Sequence, residues 1–435
     1  MRIRDFFEID FVLFFATLVL MVIGVLFIYS SGVTSEGVLI SNEYLRQIVW
    51  GGAGLIISLI IAMFNYRRIY DWSIYFYLAT IVLLICTLVF GRVQYGSRWL
   101  RLGSFGFQAS EFTKITTILF LAWYLDVTKK SHAAFPRFLI SCLIVFFPML
   151  IVLIQPDLGT ALVFIPILLG MVFIAGISLK YIIFLGLTIV LAGLLLVLPL
   201  WQSAIMQNAF PALMMLINYR FVAAICLALS LIAALAAFGF FRYKKQYFYW
   251  ICYVSGIIIL ALGTSFAAQK VLKEYQIMRL IVFMNPNVDP RGSGWHIIQS
   301  ITAIGSGGTF GRGFLQGTQS HYRFLPEQST DFIFSILSEE WGFRGGIMIF
   351  VLFLIINLRL IRIMRITSDA FGSYIVAGLT SMFAFHFMIN VGMTMGIMPI
   401  TGLPLMFLSY GGSALFSSMI SIGLASSIHV RRYLY

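Results

Sequence analysis

Apolar runs of about 20 residues, each long enough to cross the hydrocarbon of a bilayer as a helix, recur from one end of this chain to the other. A membrane-crossing segment must satisfy its own backbone hydrogen bonds, so it is either a helix or a strand in a closed barrel. Barrel strands alternate in period two; Ile81 to Phe90 and Leu185 to Leu200 do not alternate. Hydrophobic residues make up 61% of the chain and charged residues 10%, against about 25% charged in a soluble domain. The sequence therefore predicts an all-α polytopic membrane protein, a single integral membrane domain over residues 1–435.

Spans are predicted at 11–31, 45–64, 72–90, 111–127, 138–154, 160–177, 181–200, 220–240, 249–267, 345–363, 373–395 and 406–430. The first begins after MRIRDFFEID, whose basic residues resemble a signal peptide. Its apolar run is too long for one, and no small-residue cleavage site follows, so an uncleaved helix is expected. With both termini cytoplasmic, the inner connections hold Arg67 and Arg68, Lys129, Lys130 and Arg137, Lys180, Arg242, Lys244 and Lys245, and Arg359, Arg362 and Arg365. The positive-inside rule selects that orientation. It also accounts for the net charge of +13 without nucleic acid. Cys86, Cys142, Cys226 and Cys252 all fall in apolar runs, at no disulfide or metal spacing.

This orientation places Gly91 to Ser110, Gln155 to Gly159 and the long segment 268–346 on the outer face. The last is too long to be a plain connection and too rich in Trp, Ile and Phe for disorder. Short helices are expected in it near Trp295 to Ile304 and Thr330 to Glu340. Its glycine cluster GSGGTFGRG (Gly305 to Gly313) matches neither nucleotide-binding pattern, which disfavours an ATP-driven pump.

Polar residues in so apolar a chain are the candidates for chemistry. Asp289 stands between Pro286 and Pro290 in a stiff loop; a turn-forming Asp is the plain reading, a general base the functional one. Glu111 and Lys114, spaced i, i+3 at the head of a span, form either an intrahelical ion pair or a functional intramembrane pair. Arg98 and Trp99 precede them, where an interfacial aromatic anchor competes with substrate contact. Glu327, Asp331, Glu339 and Glu340 are a second acidic set, and Asp331 also suits a helix cap. Arg279, Arg291, Arg312 and Arg323 suit phosphate as well as ordinary anchoring. His296, His321 and His386 have no ligand spacing and read as satisfied polar contacts.

Five stretches in this order resemble the SEDS family (shape, elongation, division and sporulation). They are GSRWLRLGSFGFQASEFTK, QPDLGTAL, NPNVDPRGSGWHIIQSITAIGSGGTFGRG, FLPEQSTDFIFSILSEEWG and GIMPITGLPLMFLSYGGS. The GTQS before FLPE looks more like the RodA-type than the FtsW-type members. The chain departs from the family pattern at Ala109 (usually Pro), Ser329 (usually His), Trp295 (usually Tyr) and Arg291 (usually apolar). Residues 201–267 add two spans to the ten of the family, an inserted helix pair with a basic turn, RYKKQ.

The resemblance implies an inverting peptidoglycan glycosyltransferase that polymerises lipid II at the outer face of a bacterial cytoplasmic membrane during cell elongation. Its implied partners are lipid II, a class B penicillin-binding protein, other elongation-complex proteins and membrane lipids. By motif, Asp289 matches the family's essential aspartate, with Lys114 and Glu111 as further catalytic positions. Trp99, Arg98, Glu327, Asp331, Arg279 and Arg312 fall to substrate binding. Two phosphates beside carboxylates would suit Mg²⁺ or another divalent cation, although no spacing identifies a metal site. The competing expectations are a lipid II flippase, suggested by glycine-interrupted helices with internal charges, and a scaffold that only docks the transpeptidase.

Overall fold

In the computed structural model, residues 8–90, 99–102, 105–130, 133–205, 216, 218–290 and 292–433 are described. The helices are α1 (Phe11–Gly32), α2 (Glu43–Met63), α3 (Ser73–Phe90), α4 (Ala109–Val127), α5 (Ala134–Ile154), α6 (Leu158–Ile174), α7 (Leu179–Ile205), α8 (Tyr219–Tyr243) and α9 (Gln246–Val271). They continue with α10 (Glu274–Met284), α11 (Ser293–Gly307), α12 (Thr318–His321), α13 (Ile333–Ile366), α14 (Ala370–Thr394) and α15 (Gly412–Val430). A two-stranded antiparallel hairpin, β1 (Leu100–Leu102) and β2 (Phe105–Phe107), precedes α4 and pairs Leu100 with Phe107.

A helix stands at each predicted span. Ten of the helices among the described residues are long and apolar enough to cross a membrane, so this is a multi-pass α-helical membrane protein. The apolar α6 is shorter than these, and α4 carries Glu111, Lys114 and Asp126. Aspartates start several helices as their side-chain oxygens accept from otherwise orphaned amides. Asp10 Oδ1 takes Leu13 N at 3.1 Å, Asp157 Oδ1 takes Thr160 N at 3.2 Å, and Asp369 Oδ2 takes Gly372 N at 3.2 Å.

The chain divides into two units, 1–176 with 295–435, and 177–294. In the first, α2 packs on α15, α1 on α13, and α14 lies among α4, α6 and α13. The most apolar stretches of α14 and α15 are 61% and 78% buried, which makes them the interior of that unit. In the second unit, α9 packs on both α7 and α8, and α10 on α7. The corresponding stretches of α7 and α8 are only 11% buried, as befits surfaces that meet lipid.

One boundary differs markedly from the sequence expectation. The span predicted to begin at 345 belongs to a helix that starts at Ile333 and breaks at Gly342, where φ is 66° and ψ −160°. Glu339 and Glu340 make the first part too polar to read as membrane; the structure buries both of them. Segment 268–346 thus contains α10, α11, α12 and the start of α13, with α11 enclosing Trp295 to Ile304.

Candidate active site

Glu111 and Lys114 lie one turn apart on α4, and their ion pair closes at 2.9 Å between Lys114 Nζ and Glu111 Oε1. Both are buried, at 2% and 0% exposure, so the pair is an internal charge pair and not an interfacial one. Two further helices complete it. From α15, Ser417 Oγ donates to Glu111 Oε2 at 3.2 Å; from α14, His386 Nε2 lies 3.0 Å from Lys114 Nζ. The motif upstream is anchored to the same place, because Gln108 N donates to Ser413 Oγ at 3.1 Å and Gln108 Nε2 to Asp157 Oδ2 at 3.1 Å. Trp99 is half-buried with its ring against Gly106, where an added Cβ would stand 3.2 Å from it. Arg98 lies outside the described residues.

The second acidic motif is split by the fold into two environments. Glu327 is exposed, in a left-handed backbone conformation (φ 48°), and lines a cavity of about 430 Å³ with Glu43, Arg323, Ser31 and Ser41. Asp331 is half-buried; its carbonyl accepts Asn390 Nδ2 at 3.0 Å, and the α13 cap position falls to Phe332. Glu339 and Glu340 instead serve the interior. Glu339 accepts the amides of Gln319 (2.8 Å) and Ser320 (3.2 Å) at the head of α12. Glu340 accepts Ser30 Oγ and, at 3.1 Å, the amide of Leu315. His321 Nε2 stands 3.6 Å from Glu340 Oε1, while its Nδ1 meets the carbonyl of Val33 at 2.8 Å. The Glu340 carboxylate holds the His321 imidazole above its ordinary pKa, against the opposing effect of burial. Exposed Arg312 donates to Thr318 Oγ1 at 2.8 Å, which supports α12.

Asp289 and Arg279 belong to the second unit. Asp289 is half-buried, its Oδ1 accepts Gly292 N at 3.0 Å, and its carbonyl accepts Gly294 N at 3.0 Å. Asn285 Oδ1 takes Asn287 N at 3.1 Å, so side-chain turns and prolines hold the whole loop. The result is a carboxylate of fixed direction, the property a general base needs. Arg279 is half-buried with its guanidinium 5.7 Å from the Tyr275 ring centre. Arg291 lies outside the described residues. Among the described residues no group of three or more His, Cys, Asp or Glu is placed to hold a metal ion.

The family model for FtsW, RodA and SpoVE, described as cell cycle protein, matches residues 11–209 and 204–434. The chain belongs to the FtsW/RodA/SpoVE family. The peptidoglycan glycosyltransferase RodA of Treponema pallidum is 49% identical over 433 residues, which cover 99% of this chain and 100% of that protein. Stage V sporulation protein E of Bacillus subtilis is 33% identical, covering 98% and 97%, and peptidoglycan glycosyltransferase MrdB of Escherichia coli is 32% identical, covering 89% and 85%. The fold is shared with solved structures. A chain of a peptidoglycan synthase complex that coordinates polymerization and crosslinking aligns with a TM-score of 0.67 at 24% identity, over 98% of this chain and 99% of that one. The rod shape determining protein RodA of Thermus thermophilus aligns with a TM-score of 0.60 at 22% identity, over 98% of both chains. The resemblance carried by the five motifs is thus borne out.

Within this FtsW/RodA/SpoVE chain, sequence reading passed over Asn390 and Ser417 and took His386 only as a satisfied polar contact, without its partner Lys114. One signal was available: His386 and Asn390 are spaced i, i+4 in an otherwise apolar span, which puts two polar side chains on one helix face.

Proposed function

We propose that this chain is a peptidoglycan glycosyltransferase that polymerises lipid II during cell elongation. The observation that carries the reading is end-to-end identity of 49% with the Treponema pallidum relative of that name. The 4-hydroxyl oxygen of the acceptor sugar attacks the anomeric carbon of the lipid-linked chain with inversion. The hydroxyl proton passes to Asp289, and the carbon–oxygen bond to undecaprenyl pyrophosphate breaks, its electron pair leaving with the pyrophosphate. A carboxylate already fixed by the Gly292 amide loses little freedom on meeting that hydroxyl, which favours proton transfer.

Arg279, in the same unit, suits the phosphates because a guanidinium pairs bidentately with them. Full burial of Lys114 between Glu111 and His386 favours a positioning role over direct charge stabilisation. Basic connections favour an extracytoplasmic reaction site, beside a class B penicillin-binding protein that crosslinks the product.

Purified protein with its partner transpeptidase, given lipid II, is expected to yield glycan polymer, and Asp289→Asn none. Absence of polymer from the wild type, or undiminished polymer from Asp289→Asn, overturns the reading. Lipid II crossing reconstituted bilayers without polymer would replace it with transport.

A further inference from the structure

His386 is fully buried in the middle of α14. Its Nδ1 faces the carbonyl of Pro404 at 3.3 Å. A carbonyl can only accept, so Nδ1 carries the proton, and the neutral ring then has its lone pair on Nε2. That lone pair meets Lys114 Nζ at 3.0 Å, so the ammonium donates to His386 as well as to Glu111. Of the three N–H groups on Lys114, two have an acceptor among the described residues. One turn along α14, Asn390 Nδ2 donates to the carbonyl of Leu403 at 2.7 Å and to that of Asp331 at 3.0 Å. One face of α14 therefore grips the consecutive carbonyls of Leu403 and Pro404. It links the Asp331 segment at one end with the Lys114–Glu111–Ser417 chain at the other.

We propose that His386 is a positioning residue for the Glu111–Lys114 pair, a role that rests on the glycosyltransferase reading. The imidazole, locked by Pro404 as an acceptor, fixes where the buried ammonium points and thereby the register of α4 against α14 and α15. The ring acts through Lys114 and touches no substrate. Removal of the ring leaves a buried ammonium with one acceptor, a state that a protein avoids by shifting side chain or helix.

The test pairs His386→Leu, which removes the acceptor, with His386→Gln, whose amide oxygen can replace it. Polymerisation of lipid II by His386→Leu is expected to fall by about tenfold in kcat with KM within twofold of wild type. His386→Gln is expected to recover to within threefold. Independently of activity, thermal unfolding in detergent is measured for His386→Leu, Lys114→Met and the double variant. The loss caused by His386→Leu should vanish when Lys114 is absent, because contacting residues are non-additive. Unchanged kcat in His386→Leu, failure of Gln to rescue a folded protein, or additive thermal losses each overturn the proposal. Coupled thermal losses with an inactive wild type would leave the His386–Lys114 link standing and defeat the enzymatic reading alone.

Discussion

The backbone amide of Arg312 donates to the carbonyl of Glu339 at 3.0 Å. Gly313 does the same for Glu340 at 3.0 Å, and Phe343 N returns to the carbonyl of Gly308 at 2.9 Å. The glycine cluster that superficially resembles a phosphate loop is thus the partner of a broken helix. It fills the hydrogen bonds that the break in α13 leaves open, and so allows non-helical backbone in a membrane protein.

Gly342 makes that break with φ 66° and ψ −160°, a conformation essentially confined to glycine. An added Cβ would also press against the backbone of Phe310 and Gly308, at 2.8 and 2.9 Å. Gly342→Ala is expected to destabilise the protein by about 2–4 kcal/mol, read as a lower unfolding temperature in detergent. Gly305→Ala, at a site open to added atoms, should change it little.

His321 supplies a pH dependence with a definite sign. Its pKa is raised in the folded protein, first by the Glu340 carboxylate, from an unfolded value of about 6.5. A raised histidine contributes stability that is complete below the unfolded value and is lost as pH rises through the folded value. Unfolding temperature should therefore fall as pH rises from about 6.5 through the raised folded value, and fall less in His321→Gln. Identical slopes for the two proteins would exclude this contribution.

The buried pair on α4 should respond unequally to single and double substitution. Lys114→Met strands the Glu111 carboxylate, 2% exposed, and should cost about 3–5 kcal/mol. Adding Glu111→Gln removes the stranded charge and should restore much of that loss. Denaturant titration of the three variants in mild detergent measures the difference.

Asp369 caps α14 through Gly372 N and also accepts Tyr66 Oη at 2.9 Å and Arg67 Nη2 at 2.6 Å. The Arg67 side chain is 43% exposed, so the ion pair itself contributes little; the cap and the buried tyrosine contact matter more. Asp369→Ala should cost about 2 kcal/mol, and Asp369→Asn, which keeps a capping oxygen, about half as much or less. The same unfolding assay separates them.

Much of this molecule follows from local sequence. Apolar runs such as Phe11 to Gly32 predict helices because hydrocarbon offers the backbone no other partner, and aspartates such as Asp157 and Asp369 mark starts through their own amide contacts. The glycosyl-transfer candidates were equally legible one at a time, since a charge in an apolar chain stands out. Tertiary structure decided how those charges are satisfied. It buried Lys114 against His386, 272 residues away in sequence, and gave Glu339 and Glu340 the amides of a distant loop. It also set the start of α13, where polar residues disguise a helix. The physical reason is one and the same: hydrophobicity acts on each segment by itself, whereas a buried hydrogen bond needs a partner that only the folded chain can bring.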